Sequence, residues 1–485
     1  MNRSPKVIAV LTMIALLSVA GVAQAGGNAA LVSKTPELSE ALTVLDSWIQ
    51  KRMHDREQPG LSVGVVYDQE LIWAKGYGVA DLARKTPVTS ETAFRIGSVS
   101  KLFTATAIMQ LRDAGKLHLD DPVSMYLPWF RIKSSFVNAP AITIRQLMTH
   151  TSGLPRESPG GYWNTGEFPT REQMIEALAQ QEAILEPATE LKYSNLAVSI
   201  EGEVVQAVSG EPYEQYVTRH ILEPLGMLQS SVRPQPDSPA LAVGYAARQP
   251  GQPRAASFFL QSGGLTPAAN IASTVPDLAK FMSLQFRDAE AGGPQILKGS
   301  TLREMRHVQW LNSDWTGGYG LGFSLSRVGD KVRVGHGGAV NGFRASVRFL
   351  PDEKFGVIVL ANSGDGDPGS YSDELFKVLE PIVAKATKKD DPPSVADPSW
   401  SKFVGTYTWE GDDVRVMVIG GKLTMFNPGA DDPWGSRNVL EPIGQNTFRF
   451  KGGYASGEIV RFELDKSGKV TRVDMPGEFA IRTKD

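Results

Sequence analysis

FRIGSVSKLFTATAIMQLRDAGKL, residues 94–117, contains two serines, Ser98 and Ser100, just ahead of one lysine, Lys101. The segment after the lysine is apolar on nearly every face, which predicts a central buried helix, and Gly115 supplies its C-terminal stop. Ser98 then lies at the start of that helix. A serine there is often only an N-cap, which contributes about 1 kcal/mol, but a cap leaves Lys101 unexplained.

Lys101 occupies an unfavourable position for a cation. A lysine in the first helical turn faces the positive end of the helix dipole, which costs a few tenths of a kcal/mol or more, and burial also disfavours the charged amine. Ser98 and Lys101 share one helix face because they are three residues apart, so a partly neutral amine could take the Ser98 proton. Ser100 points about 100° away. The spacing favours Ser98 as a nucleophile, although Ser-x-x-Lys by itself is common by chance.

Two further stretches carry residues suited to the same chemistry. Tyr193 and Asn195 flank a turn before another apolar helix and could offer a proton-transfer oxygen and an amide donor, unless Ser194 or Asn195 is only a helix cap. VGHGGA, residues 334–339, lies between strand-like segments. Glycines weaken a strand unless something approaches its backbone closely, so this strand is a candidate oxyanion donor, with His336 pointing into the same space. A β-bulge with an exposed histidine explains the pattern equally well.

One familiar motif is better explained by the fold. GLSVG, residues 60–64, matches the G-x-S-x-G nucleophile elbow, which works only at a strand-to-helix turn. Ser62 is followed by strand-like residues that continue into a hairpin over 61–81, so we interpret it as a strand residue. The six histidines show no spacing typical of metal ligands. The sequence predicts no metal site and no cofactor.

Strand-like runs at both ends enclose a helical middle. The hairpin over 61–81 follows a predicted helix at 37–56, the chain is mainly helical over 98–226, and strands return after about 319. This order predicts an α+β fold with one sheet built from both ends of the chain and an inserted helical region. Residues 385–395 have the charged, proline-rich composition of a linker, and short strands over 396–485 predict a small antiparallel barrel or sandwich.

The first 25 residues resemble a targeting segment. Arg3 and Lys6 precede an apolar run that ends in the small-x-small pattern AQA, residues 23–25. The run is shorter than the ~20 residues of a membrane span, so we expect a cleaved signal peptide, no membrane span after cleavage, and a periplasmic or secreted protein. The chain has no cysteine, which excludes a lipid-modified N-terminal cysteine and disulfides. Without Arg3 and Lys6 the formal charge changes from −3 to −5, which gives no reason to expect nucleic acid as a partner.

The serine, tyrosine and histidine stretches, in this order, resemble the serine β-lactamase and penicillin-binding-protein superfamily. The likeness is greatest to the class C β-lactamase-related branch, with its D,D-carboxypeptidases, D-aminopeptidases and family VIII-type esterases. It covers roughly residues 36–380 and includes GKLHLDDPVSMYLP, ITIRQLMTHTSGL and GGLTPAANIASTVPDLAKF. The resemblance implies an antiparallel sheet flanked by helices over 26–384. It further implies a lipocalin-like β-domain over 396–485, which either shapes the active site or serves stability and assembly.

The resemblance also implies roles for individual residues. Ser98 corresponds to the acylated nucleophile, Lys101 to its base and Tyr193 to the second proton-transfer group. The backbone N–H groups of Ser98 and Ala339 correspond to the oxyanion hole, and Asn195 to a donor or acceptor for the acyl-side amide. The implied substrate-binding positions are Asn195, His336, Gly337, Gly338 and Ala339.

The third motif departs from the β-lactamase pattern, in which Lys-Thr/Ser-Gly stands where this chain has His336-Gly337-Gly338. A mostly neutral histidine is a weaker anchor for a carboxylate than a lysine. We therefore expect an exported serine hydrolase that acts on small esters or peptide amides, D-amino-acid peptides among them. A β-lactamase or D,D-carboxypeptidase and a non-catalytic module that binds peptidoglycan fragments are the alternatives. The sequence does not predict an oligomeric state.

Overall fold

The computed structural model describes residues 29, 32–287, 294–387, 396–409, 411–452 and 455–484. The predicted signal peptide, residues 1–25, and residues 388–395 of the predicted linker lie outside this part of the chain. The α-helices are α1 (Pro36–Asp55), α2 (Ser100–Asp113), α3 (Val123–Tyr126), α4 (Ile144–Met148), α5 (Tyr162–Thr165), α6 (Arg171–Leu178), α7 (Asn195–Ser209), α8 (Tyr213–Val217), α9 (Thr266–Ala269), α10 (Val275–Gln285), α11 (Gly299–Arg306) and α12 (Pro368–Ala386).

The strands fall into a large sheet, a two-stranded pair and a barrel. Those before residue 400 are β1 (Gly60–Tyr67), β2 (Glu70–Asp81), β3 (Thr86–Pro87), β4 (Phe94–Arg95), β5 (Ala272–Ser273), β6 (Trp310–Leu311), β7 (Gly317–Tyr319), β8 (Ser324–Val328), β9 (Lys331–Val340), β10 (Phe343–Leu350) and β11 (Phe355–Ala361). Those after it are β12 (Gly405–Trp409), β13 (Asp412–Ile419), β14 (Lys422–Phe426), β15 (Asn438–Pro442), β16 (Thr447–Lys451), β17 (Ile459–Leu464), β18 (Val470–Met475) and β19 (Glu478–Lys484).

The large sheet is antiparallel and joins the two ends of the chain. Its strand order is β3-β2-β1-β11-β10-β9-β8-β7-β6, and β1 pairs with β11 from Leu61 opposite Ala361 to Tyr67 opposite Phe355. This pairing confirms the prediction of one sheet built from both ends. Ser62 lies inside β1 and is fully buried, which confirms its interpretation as a strand residue.

Two helical layers cover the sheet, and β1 contributes to both because side chains alternate between the faces of a strand. Val63 and Val65 pack with α1 and α12 in one apolar cluster. Val66 belongs to the other cluster, which contains the inserted helices. Helix α2 lies in that second layer, and every residue from Ser100 to Met109 is buried, as the sequence predicts.

Strands β12 to β19 form a closed eight-stranded barrel in which β12 pairs with β19. Its interior is filled by aromatic and aliphatic side chains, with Phe403, Phe448 and Phe462 packed edge-on or tilted against one another. An eight-stranded barrel is just wide enough for side chains to fill it. The predicted small all-β domain is therefore a packed barrel.

The barrel contacts the α1 and α12 layer of the sheet. Ile419 and Phe426 form an apolar cluster with Val44 of α1, and Asp432 forms an ion pair with Lys377 of α12. Helix α2 lies on the other side of the sheet. This position favours the stabilising role for the C-terminal domain over a role in covering residues near Ser98.

Replacing Ile419 with glutamate should weaken this contact. Ile419 is buried against Val44 and does not belong to the interior cluster of the barrel, so an unpaired carboxylate there should lower the free energy of unfolding by about 2 kcal/mol. Differential scanning calorimetry measures the change. Ile459→Glu, at an exposed barrel position, is the matched control and should shift stability by no more than about 0.5 kcal/mol. Equal unfolding temperatures for wild type and Ile419→Glu would contradict the docking.

Candidate active site

Ser98 is presented by a tight turn between β4 and α2. The turn is a 3₁₀ helix over Gly97–Val99, and Gly97 has φ +52°. A Cβ at Gly97 would lie 2.6 Å from the backbone nitrogen of Ala339, so glycine permits both the backbone conformation and the close approach of β9. Within the fully described stretch 92–109, Ser98 is the one residue that is not buried.

The two serines have different partners. Ser98 Oγ accepts a hydrogen bond from Lys101 Nζ at 3.1 Å, and its side chain does not cap α2, whose N-cap is Val99. Ser100 is fully buried, and its Oγ accepts a hydrogen bond from the backbone N–H of Ile271 at 3.1 Å. The geometry therefore separates an accessible serine beside a lysine from a structural one.

Lys101 is a buried cation with three acceptors. Besides the contact with Ser98, its Nζ donates to Asn195 Oδ1 and to the Ala268 carbonyl oxygen, each at 2.8 Å. The side chain is 2% exposed. An ammonium group has three donors, so all of them are used, and these bonds offset the cost of burying the charge.

Asn195 connects Lys101 to the loop that precedes α5. Its Nδ2 donates to Glu157 Oε1 at 2.6 Å, which leaves the second amide hydrogen for a substrate. The neighbouring Ser194 caps α7, because its Oγ accepts from the Ala197 N–H at 2.9 Å. Of the two residues that the sequence offered as helix caps, Ser194 is the cap. The adjacent Asn195 instead contacts Lys101 and Glu157.

Tyr193 lies between two cations. The centre of its ring is 5.1 Å from Lys101 Nζ and 5.2 Å from the guanidinium carbon of Arg156. The ring of His150 packs on it with centroids 4.5 Å apart. A cation is attracted to the face of an aromatic ring, so these contacts help to fix the position of the Tyr193 ring beside Lys101.

The aromatic residues around Tyr193 are neutral. Burial, followed by the charge of Lys101, lowers the pKa of His336 to about 4, and burial lowers the pKa of His150 well below its usual range. Burial also raises the pKa of Tyr319. The charged side chains that contact Tyr193 or Asn195 include those of Lys101, Arg156 and Glu157.

His336 lies in β9, and its ring is close to the ring of Tyr193. The ring centroids of His336 and Tyr193 are 6.1 Å apart, and Nδ1 of His336 donates to the Gly337 carbonyl oxygen at 2.5 Å. Its Nε2 is buried and has no hydrogen-bond partner among the described residues. A neutral ring with this tautomer offers no cation to a substrate. Its direct contact with substrate stays a prediction.

Strand β9 lies against the serine turn. Its pairing with β8 ends at Gly335, so the following residues are free to meet the turn. A Cβ at Gly338 would lie 1.9 Å from the carbonyl oxygen of Ile96, and glycine is needed for this approach. The backbones of Ser98 and Ala339 are therefore neighbours, as an oxyanion hole formed by their N–H groups would need.

The eight residues predicted from the sequence lie in one region. Contacts already described connect Ser98, Lys101, Tyr193, Asn195, His336, Gly337, Gly338 and Ala339. Sequence reasoning missed Glu157, Tyr319 and the carbonyl of Ala268. Tyr162 is buried and packs on Trp163 and Phe168, so it anchors the loop.

Glu201 is a further residue that the sequence analysis passed over. It is 1% exposed in α7, and its Oε1 has no hydrogen-bond partner within the described chain. Burial raises the pKa of Glu201 from about 4.5 to about 8, against an opposing effect of Lys101. A charged residue inside the apolar run LAVSIEGEVV was the available signal.

No three or more His, Asp or Glu side chains in the described part of the chain are grouped as a metal site would need. None of its helices combines the length and apolar character needed to cross a bilayer.

The sheet with its inserted helices and the positions of Ser98, Lys101 and Tyr193 are those expected of an acyl-transferring serine enzyme. The chain belongs to the Beta-lactamase family, whose model matches residues 45–379, and is thus a serine hydrolase of the serine β-lactamase and penicillin-binding-protein superfamily. This finding confirms the resemblance at the level of the superfamily. Membership of the class C-related branch stays a prediction.

Curated relatives resemble most of the chain. Beta-lactamase-like protein 2 of Dictyostelium discoideum is 29% identical over 426 residues, which cover 82% of this chain and 76% of that protein. Beta-lactamase-like protein 4 of the same organism is 30% identical over 369 residues, or 72% and 64% of the two chains. Protein flp of Staphylococcus aureus (strain MW2) is 27% identical over 322 residues, or 66% and 62%. The chain thus spans less than two thirds of the last two proteins.

Solved structures resemble nearly all of the chain. An octameric penicillin-binding protein homologue from Pyrococcus abyssi matches with a TM-score of 0.62 and 25% identity, covering 91% of this chain and all of that one. SurE matches with a TM-score of 0.56 and 24% identity, covering 92% and 99% of the two chains. The likeness to SurE concerns the fold.

The raised pKa of Glu201 predicts a pH-dependent stability. Below about pH 4.5 the group is protonated in both states; as the pH rises towards 8, only the unfolded chain releases the proton, so the free energy of unfolding falls. Glu201→Gln removes this loss and should be more stable than wild type at pH 8.5, by up to about 4 kcal/mol. The two proteins should unfold alike at pH 4.

Urea unfolding at both pH values measures the difference. Glu176→Gln, an exposed carboxylate on α6, is the matched control and should give the same small change at each pH. A stability difference between Glu201→Gln and wild type that does not grow with pH would refute the role of burial.

Proposed function

We propose that the protein hydrolyses small esters and peptide amides, including peptides of D-amino acids, through an acyl-enzyme on Ser98. The observation that carries this proposal is the partly exposed Ser98 hydroxyl, 3.1 Å from Lys101 Nζ, with the Tyr193 ring centre 5.1 Å from the same nitrogen. A nucleophile within hydrogen-bond reach of a base, beside a second proton-transfer group, is the arrangement that acyl transfer requires.

In the first half-reaction Ser98 Oγ forms a bond to the substrate carbonyl carbon. Its proton passes to the Lys101–Tyr193 pair, one of whose two groups must be deprotonated to receive it. The carbonyl oxygen becomes an oxyanion that faces the N–H groups of Ser98 and Ala339. The bond to the leaving group then breaks, and Tyr193 returns the proton to the leaving oxygen or nitrogen.

In the second half-reaction water replaces the leaving group. The Lys101–Tyr193 pair takes a proton from water, the hydroxide oxygen bonds to the acyl carbon, and the bond to Ser98 Oγ breaks. Ser98 regains its proton and the acid product leaves. The cations of Lys101 and Arg156 favour both anionic intermediates.

The neutral character of His336 supports substrates without a carboxylate at that position. Its pKa of about 4 keeps the ring uncharged at neutral pH, and its Nδ1–H is already bonded to the Gly337 carbonyl. A penicillin or a peptide C-terminus would find no cation there, unlike in the Lys-Thr/Ser-Gly pattern.

One observation favours a second candidate function, that of a β-lactamase or D,D-carboxypeptidase. Arg156 is 61% exposed, and its guanidinium carbon lies 5.2 Å from the Tyr193 ring centre. A guanidinium group suits bidentate binding of a carboxylate, so Arg156 is an alternative anchor for such substrates.

Ser98→Ala should abolish acylation, because the nucleophilic oxygen is lost. We expect hydrolysis of p-nitrophenyl butyrate to fall at least about 10³-fold, and intact-protein mass spectrometry should detect a fluorophosphonate adduct on wild type alone. Ser100→Ala is the matched control. It removes the buried hydrogen bond between the Ile271 N–H and Ser100 Oγ and should lower the free energy of unfolding by about 1 kcal/mol, while the fluorophosphonate still labels Ser98. Equal turnover by Ser98→Ala and wild type would place the nucleophile elsewhere.

Nitrocefin separates the two candidate functions. With His336 neutral, we expect kcat/KM for nitrocefin to be at least about tenfold below that for p-nitrophenyl butyrate, which corresponds to one charge-assisted contact. Steady-state absorbance assays give both values. A higher value for nitrocefin that collapses in Arg156→Ala would support the second candidate and overturn the first.

A further inference from the structure

The carboxylate of Glu157 lies in the loop between α4 and α5, beside the residues that flank Ser98. Its Oε1 accepts a hydrogen bond from Asn195 Nδ2 at 2.6 Å, and its Oε2 accepts one from the Tyr162 hydroxyl at 2.9 Å. The side chain nevertheless remains 23% exposed. A carboxylate has about four acceptor positions, so an accessible, negatively charged group keeps acceptor capacity beside Asn195.

The loop holds this carboxylate in a fixed position. Tyr162 is buried, and its ring packs on Phe168 with centroids 4.7 Å apart. The side-chain amide of Gln181 donates to the Glu157 carbonyl oxygen at 2.9 Å. Both the backbone and the side chain of Glu157 are therefore restrained before any ligand arrives, which lowers the entropic cost of binding.

Arg156 does not cancel this charge. Its Nε lies 3.4 Å from Glu157 Oε1, but the guanidinium is 61% exposed and lies over the Tyr193 ring. Such exposed pairs are weak because water screens them. Glu201, whose charge would be influenced by Lys101, is buried in α7 and cannot meet a ligand. Glu157 is thus the anionic group that a substrate near Asn195 would contact.

We propose that Glu157 recognises an ammonium group on the acyl portion of the substrate. The preferred substrates are then amides and esters of amino acids whose α-amine is free, and N-acylated analogues bind more weakly. This inference rests on the proposed function, since Ser98 and Asn195 define which part of the substrate is the acyl side. It assigns substrate choice to the loop before α5.

Competition tests the preference in the intact protein. D-alaninamide and N-acetyl-D-alaninamide are compared as inhibitors of p-nitrophenyl butyrate hydrolysis at pH 7. A charge-assisted contact with Glu157 should make the free amine inhibit at least about tenfold more strongly. The preference should decline above about pH 8, where the α-amine of the ligand loses its proton.

Two variants separate charge from position. Glu157→Gln keeps an acceptor for Asn195 and removes the charge, so it should abolish the preference, which is measured within each variant as the ratio of the two inhibition constants. Glu157→Asp keeps the charge and should retain part of the preference. Glu167→Gln removes an exposed carboxylate just after α5 and is the matched control, in which the full preference should remain.

The outcomes distinguish this inference from the proposed function. Equal inhibition by both amides, or an unchanged preference in Glu157→Gln, overturns the role of Glu157 while ester hydrolysis stands. Stronger inhibition by N-acetyl-D-alanine, which carries a carboxylate, would assign recognition to Arg156 instead and also overturns it. If wild type hydrolyses no ester, the proposed function fails, and calorimetric titration of the two amides into wild type and Glu157→Gln decides the preference independently.

Discussion

The burial of one cation organises this structure. Lys101 is almost completely buried, and a charge out of water is costly unless every donor is satisfied. Its three acceptors come from the serine turn, from α7 and from α9. The ammonium group therefore fixes the mutual position of three chain segments that are distant in sequence. If α7 or α9 moved away, an unpaired donor would remain in the core.

The same requirement extends outward to the loop before α5. Asn195 Oδ1 can accept a hydrogen bond from Lys101 only if Nδ2 of the same side chain points the other way. Glu157 accepts the hydrogen bond that this Nδ2 donates. Tyr162 then holds Glu157. A chain of hydrogen bonds thus runs from the aromatic anchor of the loop to the hydroxyl of Ser98. Because each member orients the next, the loop and the nucleophile form one preorganised unit.

Local patterns were sufficient to predict the sheet and the central helix, whereas the roles of the eight site residues came from the family resemblance and stay predictions. The run after Lys101 is apolar on nearly every face, which predicts a buried helix. Strand-like residues, rather than a helix, follow Ser62 in the hairpin over 61–81. Glu157, Tyr319 and the Ala268 carbonyl were not predictable in this way, because their contacts join loops and a strand whose spacing in space the sequence does not encode locally. The packed interior and docking of the barrel depend likewise on tertiary contacts.

The location of the barrel bears on how specificity arises in this protein. The barrel packs on α1 and α12, whereas Ser98 and α2 lie across the sheet in the other layer. While docked on α1 and α12, the filled barrel lies on the opposite face of the sheet from α2. The groups that distinguish substrates must therefore come from elements around Ser98. Of these, the loop before α5 carries opposite charges on the consecutive residues Arg156 and Glu157. Substitution of either residue would therefore alter which charged substrates bind.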